Sequence, residues 1–130
     1  MNPEDLLVTT AWQAREHACA RYSKFSVGAC LEAEDGSLYT GCNVESSSYG
    51  LTCCAERVAL FKALSEGQRR FSRIAVVADT RQPCPPCGAC RQLLLDYAPG
   101  ILVIQSNRQN RETRSIEELL PNGFQDDFFE

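Results

Sequence analysis

The sequence of 130 residues contains one histidine, one methionine and one tryptophan, and it has fewer basic than acidic residues. A single histidine excludes any metal site built from several imidazoles. With 13 lysines and arginines against 17 aspartates and glutamates, the net charge is -4, opposite to the basic surface that grips a phosphate backbone. We therefore expect no nucleic-acid partner.

The hydrophobic and charged fractions, 44% and 23%, are ordinary for a globular protein and exclude a disordered or membrane-spanning chain. The length is that of one domain, so residues 1–130 are predicted to form a single domain with no separate regulatory module. Any functional site must then be built from the same elements as the core.

Cysteine is comparatively abundant, with eight copies. This share is below the roughly 8–10% that marks a short secreted disulfide scaffold. Residues 1–5, MNPED, lack the positive start and apolar stretch of a signal peptide. We therefore expect a cytoplasmic protein with reduced cysteines. In that compartment, clustered cysteines are more often metal ligands or catalytic thiols than structural disulfides.

Hydrophobic periodicity predicts an α/β fold in which helices and strands are interspersed. The segment Ile74–Ile104 is predicted to be strand, helix and strand, a crossover unit whose two strands run parallel, whereas an earlier hairpin pairs antiparallel. The sheet is therefore predicted to be mixed. The predicted elements are a helix from Pro3 with apolar positions as far as Tyr22, strands at Val27–Ala33 and Leu38–Val44, a helix from near Cys54 to Gly67, a strand at Ile74–Ala78, a helix from Cys87 to about Tyr97, a strand at Ile101–Ile104 and a short helix capped by Ser115.

Two of the predicted helices begin at cysteines, one at Cys54 and the other at Cys87 with Cys90. A helix N-terminus stabilises a thiolate through its free N–H groups and its dipole. Three thiolates would bind zinc and leave one position open, which is the pattern of catalytic rather than structural zinc sites.

Cys54-Ala55-Glu56 and Pro86-Cys87-Gly88-Ala89-Cys90 together match the zinc deaminase signature H-x-E with P-C-x-x-C, with cysteine in place of the histidine. In that signature the glutamate is the general acid and base and is not a ligand. Cys54, Cys87 and Cys90 are therefore predicted zinc ligands, and Glu56 is the predicted catalytic residue.

With these motifs, the sequence resembles the small homotetrameric cytidine deaminases of the cytidine/deoxycytidylate deaminase superfamily, from Phe25 to Phe124. The segments that carry the resemblance are FSVGA at 25–29, GCNVE at 41–45, Tyr49, CAER at 54–57, PCGACRQ at 86–92, and ELLP at 118–121 with Phe124. The resemblance implies a three-layer αβα fold with a mixed five-stranded sheet and one zinc ion per subunit. It also implies deamination of cytidine, and of deoxycytidine, in pyrimidine salvage.

The resemblance further implies a nucleoside pocket. Asn43 and Glu45 would bind the ribose hydroxyls, and Phe25 would pack against the nucleoside. A carboxylate repels phosphate, which favours a free nucleoside over a nucleotide. Ser47, where the family often has alanine nearby, and Ala55 are also assigned to substrate binding by resemblance. Tyr49 and Phe124 would reach the pocket of a neighbouring subunit, so that sites are shared within a homotetramer.

The expected mechanism uses zinc to activate water for attack on C4 of cytosine, while Glu56 carries a proton first to N3 and then to the departing amino group. Zinc with three thiolates sums to -1, which weakens it as a Lewis acid unless positive charge lies nearby. Arg57, next to Glu56, is the predicted source of that charge.

Three alternatives remain open at this point. Cys84 or Cys53 could supply a fourth thiolate and close a structural zinc site, although two prolines remove N–H donors between Cys84 and Cys87. Cys84 and Cys87 could instead form a thiol redox pair. A related family deaminates blasticidin S with a similar zinc site. The remaining cysteines, Cys19, Cys30 and Cys42, are predicted to be small core residues.

Overall fold

The structure is a computed structural model that describes residues 2–129, with Phe128 described by its backbone alone. Asn2 caps the first helix, with Pro3 in its first turn, as predicted. The elements are α1 (Pro3–Arg15), β1 (Val27–Ala33), β2 (Leu38–Cys42), α2 (Ala55–Ser65), β3 (Phe71–Ala78), α3 (Gly88–Tyr97), β4 (Leu102–Ser106), β5 (Arg111–Ser115) and α4 (Ile116–Leu119), with 3₁₀ turns at Tyr49–Leu51 and Asp126–Phe129.

The five strands form one mixed sheet in the order β2-β1-β3-β4-β5. β3 and β4 are parallel, and α3 crosses between them, while the other three pairings are antiparallel. The predicted mixed five-stranded sheet is confirmed. Hydrophobic periodicity did not indicate β5, because this polar, largely exposed edge strand is held by backbone pairing to β4 rather than by burial of its side chains.

Alternate residues of the central strands face opposite sides of the sheet, and each side carries helices. In β1, Ala29 and Leu31 pack in the larger core cluster with residues of α2 and α3, whereas Cys30 packs with Leu7 and Ala11 of α1. The three-layer αβα arrangement predicted by resemblance is therefore present.

Two glycines allow the helices to lie directly on the sheet. An ideal Cβ on Gly41 of β2 would lie 2.2 Å from the carbonyl oxygen of Ala55, at the start of α2. An ideal Cβ on Gly28 of β1 would lie 2.1 Å from the carbonyl oxygen of Ala11 in α1, on the other face. Real Cβ contacts this short do not occur, so both close approaches require glycine. The Gly41 contact sets the position of the helix end that carries Cys54.

The chain leaves α1 at Arg15, earlier than the apolar positions Ala18 and Tyr22 indicated. Beyond the helix, Cys19 pairs with the chain beside Val44: its N–H donates to Asn43 and its carbonyl accepts from Glu45. Cys19 is exposed in this extended segment, so its prediction as a core residue is wrong. Cys30 is fully buried as predicted, and Cys42 is half-buried.

Among residues 2–129, no helix combines the length and the apolar character that crossing a bilayer requires.

Candidate active site

The N-termini of α2 and α3 bring three cysteines together. Cys54 is the N-cap of α2, Cys87 is the N-cap of α3, and Cys90 lies in the first turn of α3, where its N–H donates to Cys87 Sγ at 3.5 Å. The backbones of Cys54 and Cys87 are extended, as is usual for N-cap residues, so each helix begins directly after its cysteine. The prediction from spacing and the observed helix ends agree at these positions.

The spacing of the three sulfur atoms fits a zinc ion. Cys54 Sγ lies 3.7 Å from Cys87 Sγ, Cys87 Sγ lies 3.3 Å from Cys90 Sγ, and all three fall within 4.8 Å of one another. Tetrahedral coordination with Zn–S bonds of about 2.3 Å places sulfurs about 3.8 Å apart. In the part of the chain that the structure describes, no further cysteine, histidine or carboxylate joins the cluster. The cluster can therefore hold zinc with one position left for water or substrate.

The surroundings of the cluster favour thiolate at Cys54. Its pKa is lowered to about 5, first by the hydrogen bond with Cys90 and then by those with Arg57 and Cys87, against the opposing effect of burial. Arg57 Nη2 donates to Cys54 Sγ at 3.3 Å. Arg57 was predicted to place a positive charge beside the three cysteines, and its guanidinium contacts the sulfur of Cys54 directly.

Glu56 is 4% exposed and lies in the first turn of α2, one residue after Ala55. Its pKa is raised to about 7, chiefly because burial disfavours the carboxylate, with the Cys54 thiolate adding to the shift. A carboxyl group with a pKa near 7 can both accept and donate a proton at neutral pH.

A cavity of about 300 Å³ joins these groups to the start of β1. Seven of the residues singled out from the sequence line it: Phe25, Asn43, Glu45, Cys54, Ala55, Glu56 and Cys87. The wall carries the sulfur atoms of Cys54 and Cys87 and the buried carboxyl of Glu56, together with the amide of Asn43 and the carboxylate of Glu45. Its size and mixed polarity suit a small ligand with a polar ring and hydroxyl groups.

Comparison with known proteins agrees with this geometry. Residues 1–106 match the cytidine and deoxycytidylate deaminase zinc-binding region. The chain belongs to this family. It is 50% identical over 121 residues to a cytidine deaminase of Halalkalibacterium halodurans, covering 92% of each chain. It is 48% identical over 120 residues to one of Sporosarcina psychrophila, covering 91% of this chain and 88% of the relative.

The fold is likewise that of the deaminase family. The crystal structure of a cytidine deaminase from Burkholderia pseudomallei superposes with a TM-score of 0.91 at 46% identity, covering 95% of this chain and all of the other. A blasticidin-S deaminase of Bacillus cereus is more distant, at 33% identity over 110 residues and 76% of each chain.

Three residues that the deaminase resemblance assigned to substrate binding lie outside the cavity of their own chain. Ser47 is exposed in the loop before the first 3₁₀ turn. Tyr49 is 78% exposed and lines a second cavity, of about 310 Å³, together with Glu45. Phe124 is 55% exposed and packs edge-on against Phe129 near the end of α3. None of the three lines the cavity beside the three-cysteine cluster.

The two cysteines that left the ligand set ambiguous also lie outside the cluster. Cys53 belongs to an isolated bridge with Val44. Cys84 lines the cavity from the loop before α3, where burial and the nearby Glu56 raise its pKa. Cys87 directs its sulfur to Cys54 and Cys90, which does not support a Cys84–Cys87 redox pair or a four-cysteine site.

Sequence reasoning missed several residues of the cavity wall. Ser23, Val27, Thr52, Val76 and Pro85 line it, and so does Cys84, which the sequence had marked as a possible zinc ligand or redox thiol but not as a wall residue. Val27 and Val76 were predicted as strand residues, and nothing in a strand pattern marks which residues end at a pocket. Ser23 stands two positions before Phe25, and this proximity was the one available signal.

Proposed function

We propose that the protein catalyses hydrolytic deamination of cytidine and deoxycytidine, with water and nucleoside giving uridine or deoxyuridine and ammonia. The observation that supports this proposal most strongly is the position of Glu56, a buried carboxyl in the wall of the same cavity as the three-cysteine cluster. The similarity to proteins named cytidine deaminase over most of the chain supports the same substrate class.

Cys54, Cys87 and Cys90 would hold zinc, and zinc at such a site supplies Lewis-acid activation of water near neutral pH. Glu56 performs the proton transfers: it accepts a proton as water adds to C4 and donates it to N3, and it then accepts the proton of the new C4 hydroxyl group and delivers it to the departing amino group, which leaves as ammonia. The buried position of Glu56 keeps bulk water from competing for these protons. Arg57 offsets the negative charge of the thiolates through its contact with Cys54.

The part of the cavity wall formed by Asn43, Glu45 and Phe25 would bind the sugar. Asn43 and Glu45 offer an amide and a carboxylate to the ribose hydroxyls, and Phe25 packs along the nucleoside. Among the residues that the structure describes, no lysine or arginine lines this wall to bind a phosphate group. This lining supports a nucleoside in preference to a nucleotide.

The proposal has four further parts. The protein is a homotetramer with shared pockets, its residues 1–130 form one domain, it is located in the cytoplasm, and it acts in pyrimidine salvage. The exposed aromatic rings of Tyr49 and Phe124, outside their own cavity, support completion of the pocket by a neighbour. Ala55 lines the cavity and is kept as a substrate contact, whereas Ser47, exposed outside it, would contact a nucleoside only in the pocket of a neighbouring subunit. Three thiolates that must stay reduced support the cytoplasm. Sedimentation at four times the 14.4 kDa chain mass would test the tetramer.

The deciding experiment follows the loss of cytosine absorbance and the release of ammonia from cytidine, using zinc-loaded wild-type protein and Glu56→Gln. The wild type is expected to turn over, and the variant to lose about 10²–10⁴-fold in kcat while retaining zinc. A zinc-loaded wild type that releases no ammonia would refute the function. Turnover that survives in Glu56→Gln would refute the role of this carboxyl.

A further inference from the structure

The carboxylate of Glu45 is held by the chain itself. Its Oε1 accepts hydrogen bonds from the backbone N–H groups of Tyr22 at 3.1 Å and Ser23 at 3.0 Å. Its Oε2 accepts a hydrogen bond from the hydroxyl of Ser23. The same hydroxyl oxygen accepts from the N–H of Phe25 at 3.0 Å. Ser23 therefore connects Glu45 to the segment that carries Phe25, and it lines the cavity beside both residues.

The remaining hydrogen-bonding capacity of Glu45 can be counted. An ionised carboxylate offers about four acceptor positions. The two on Oε1 are taken by backbone N–H groups, and one on Oε2 is taken by Ser23. The bonds from Ser23 also keep the pKa of Glu45 below its ordinary value, so the group is an ionised acceptor at neutral pH. Counted over the residues that the structure describes, one position is left, and it lies on the oxygen that the Ser23 hydroxyl orients.

We infer that Ser23 is a positioning residue for the substrate: its hydroxyl orients Glu45 Oε2 so that the remaining acceptor position receives one ribose hydroxyl. This inference rests on the proposed function and deepens it, because it assigns the recognition of the sugar to a pair of side chains rather than to Glu45 alone.

The segment after Ser23 has its own attachment to the sheet. Asn43 Oδ1 accepts from the N–H of Val27 at 3.0 Å, and Asn43 Nδ2 donates to the carbonyl of Phe25 at 2.7 Å. Both bonds are independent of Ser23. Removing the hydroxyl of Ser23 should therefore leave Phe25 in place and affect mainly the orientation of Glu45.

The test compares cytidine with 2′,3′-dideoxycytidine, which lacks the 2′ and 3′ hydroxyls and keeps the 5′ hydroxyl, in zinc-loaded wild type, Ser23→Ala and Ser23→Thr. Ser23→Ala is expected to lower kcat/KM for cytidine about tenfold, mainly through KM, since the lost bond is to a charged group. For the dideoxy substrate the loss should stay below about twofold, because no hydroxyl meets Glu45. Ser23→Thr retains the hydroxyl and should restore the wild-type value for cytidine.

Ser65→Ala is the matched control, since it removes an exposed hydroxyl that donates only to Lys62 at the far end of α2. Fluorescence of the single tryptophan and the melting temperature report folding. If Ser23→Ala does not fold, Ser23→Cys, a similar side chain with a weaker donor, replaces it in the same comparison.

Equal losses for both substrates would show a general structural role and overturn the inference, as would an unchanged kcat/KM for cytidine. In both cases the wild type remains active and the proposed function stands. A zinc-loaded wild type that deaminates neither nucleoside would overturn the proposed function and the role of Ser23 with it.

Discussion

Gly41→Ala is expected to displace the end of α2 that carries Cys54 and thereby weaken zinc binding. The added Cβ would lie 2.2 Å from the carbonyl oxygen of Ala55 and 2.7 Å from the amide nitrogen of Ala59. Both atoms belong to the backbone of α2, so no side-chain rotation can relieve the overlap. The helix has to move away from β2 by about 1 Å or more to restore ordinary contact distances.

The loss of stability expected for Gly41→Ala follows from the kind of atoms that overlap. Overpacking a core costs about 1–3 kcal/mol, and an overlap with backbone belongs at the upper end of that range. For a chain of this length, about 3 kcal/mol lowers the melting temperature by about 12 °C, at roughly 4 °C per kcal/mol. Because Ala55 follows Cys54 directly, the same displacement separates Cys54 from the two sulfurs on α3. We expect zinc affinity to fall about tenfold or more.

Gly28→Ala is the matched control, because its Cβ would meet α1 on the opposite face of the sheet, 2.1 Å from the carbonyl oxygen of Ala11. Both variants should lose similar stability by scanning calorimetry at saturating zinc. Only Gly41→Ala should lose zinc to a chromophoric chelator at a temperature well below unfolding. Equal zinc affinities in the two variants would refute the argument that Gly41 sets the position of Cys54.

Two further predictions concern charge. Arg57→Ala removes the donor to Cys54 Sγ and should raise the zinc dissociation constant about 10–100-fold while lowering turnover; full metal content with unchanged activity would contradict this. Glu118 closes a capping box with Ser115, and its pKa is held below the ordinary 4.5 by hydrogen bonds from Ser115. This stabilisation is complete above pH 4.5 and is lost as pH falls through the lowered pKa. The melting temperatures of wild type and Glu118→Gln should therefore converge on acidification, and a constant difference from pH 7 to pH 3 would argue against it.

The fold was largely predictable because most of its elements bury one face. The periodicity of α2 and the apolar run of β3 arise from residues that pack in the core, and the capping box at Ser115 is a local signal that needs no distant partner. β5 lacked such a signal, since an exposed edge strand is specified by the backbone of its neighbour β4. The early end of α1 has the same origin: the pairing of Cys19 beside Val44 competes with continuation of the helix.

The residues of the candidate site likewise divide into those that the sequence predicted and those that it did not. The grouping of Cys54, Cys87 and Cys90 was predicted from spacing, because two helix starts with fixed motifs leave little freedom in how their side chains are arranged. Ser23 was not singled out, because the role we infer for it depends on its hydrogen bond to Glu45, which is 22 residues away in the chain. Cys53 and Cys84 could be separated from the ligands only by the distances among sulfur atoms.

By itself, the sequence determined the ligand chemistry: one histidine leaves sulfur to bind the metal, and the C-x-E and P-C-x-x-C motifs select three of eight cysteines. Only the tertiary structure decided that Glu56 is buried with its pKa near 7, that Arg57 contacts Cys54, and that described residues fill three acceptor positions of Glu45. The physical reason is that ligand identity depends on residue type and local spacing. Protonation and hydrogen-bonding capacity depend on which atoms from distant parts of the chain exclude water and supply partners.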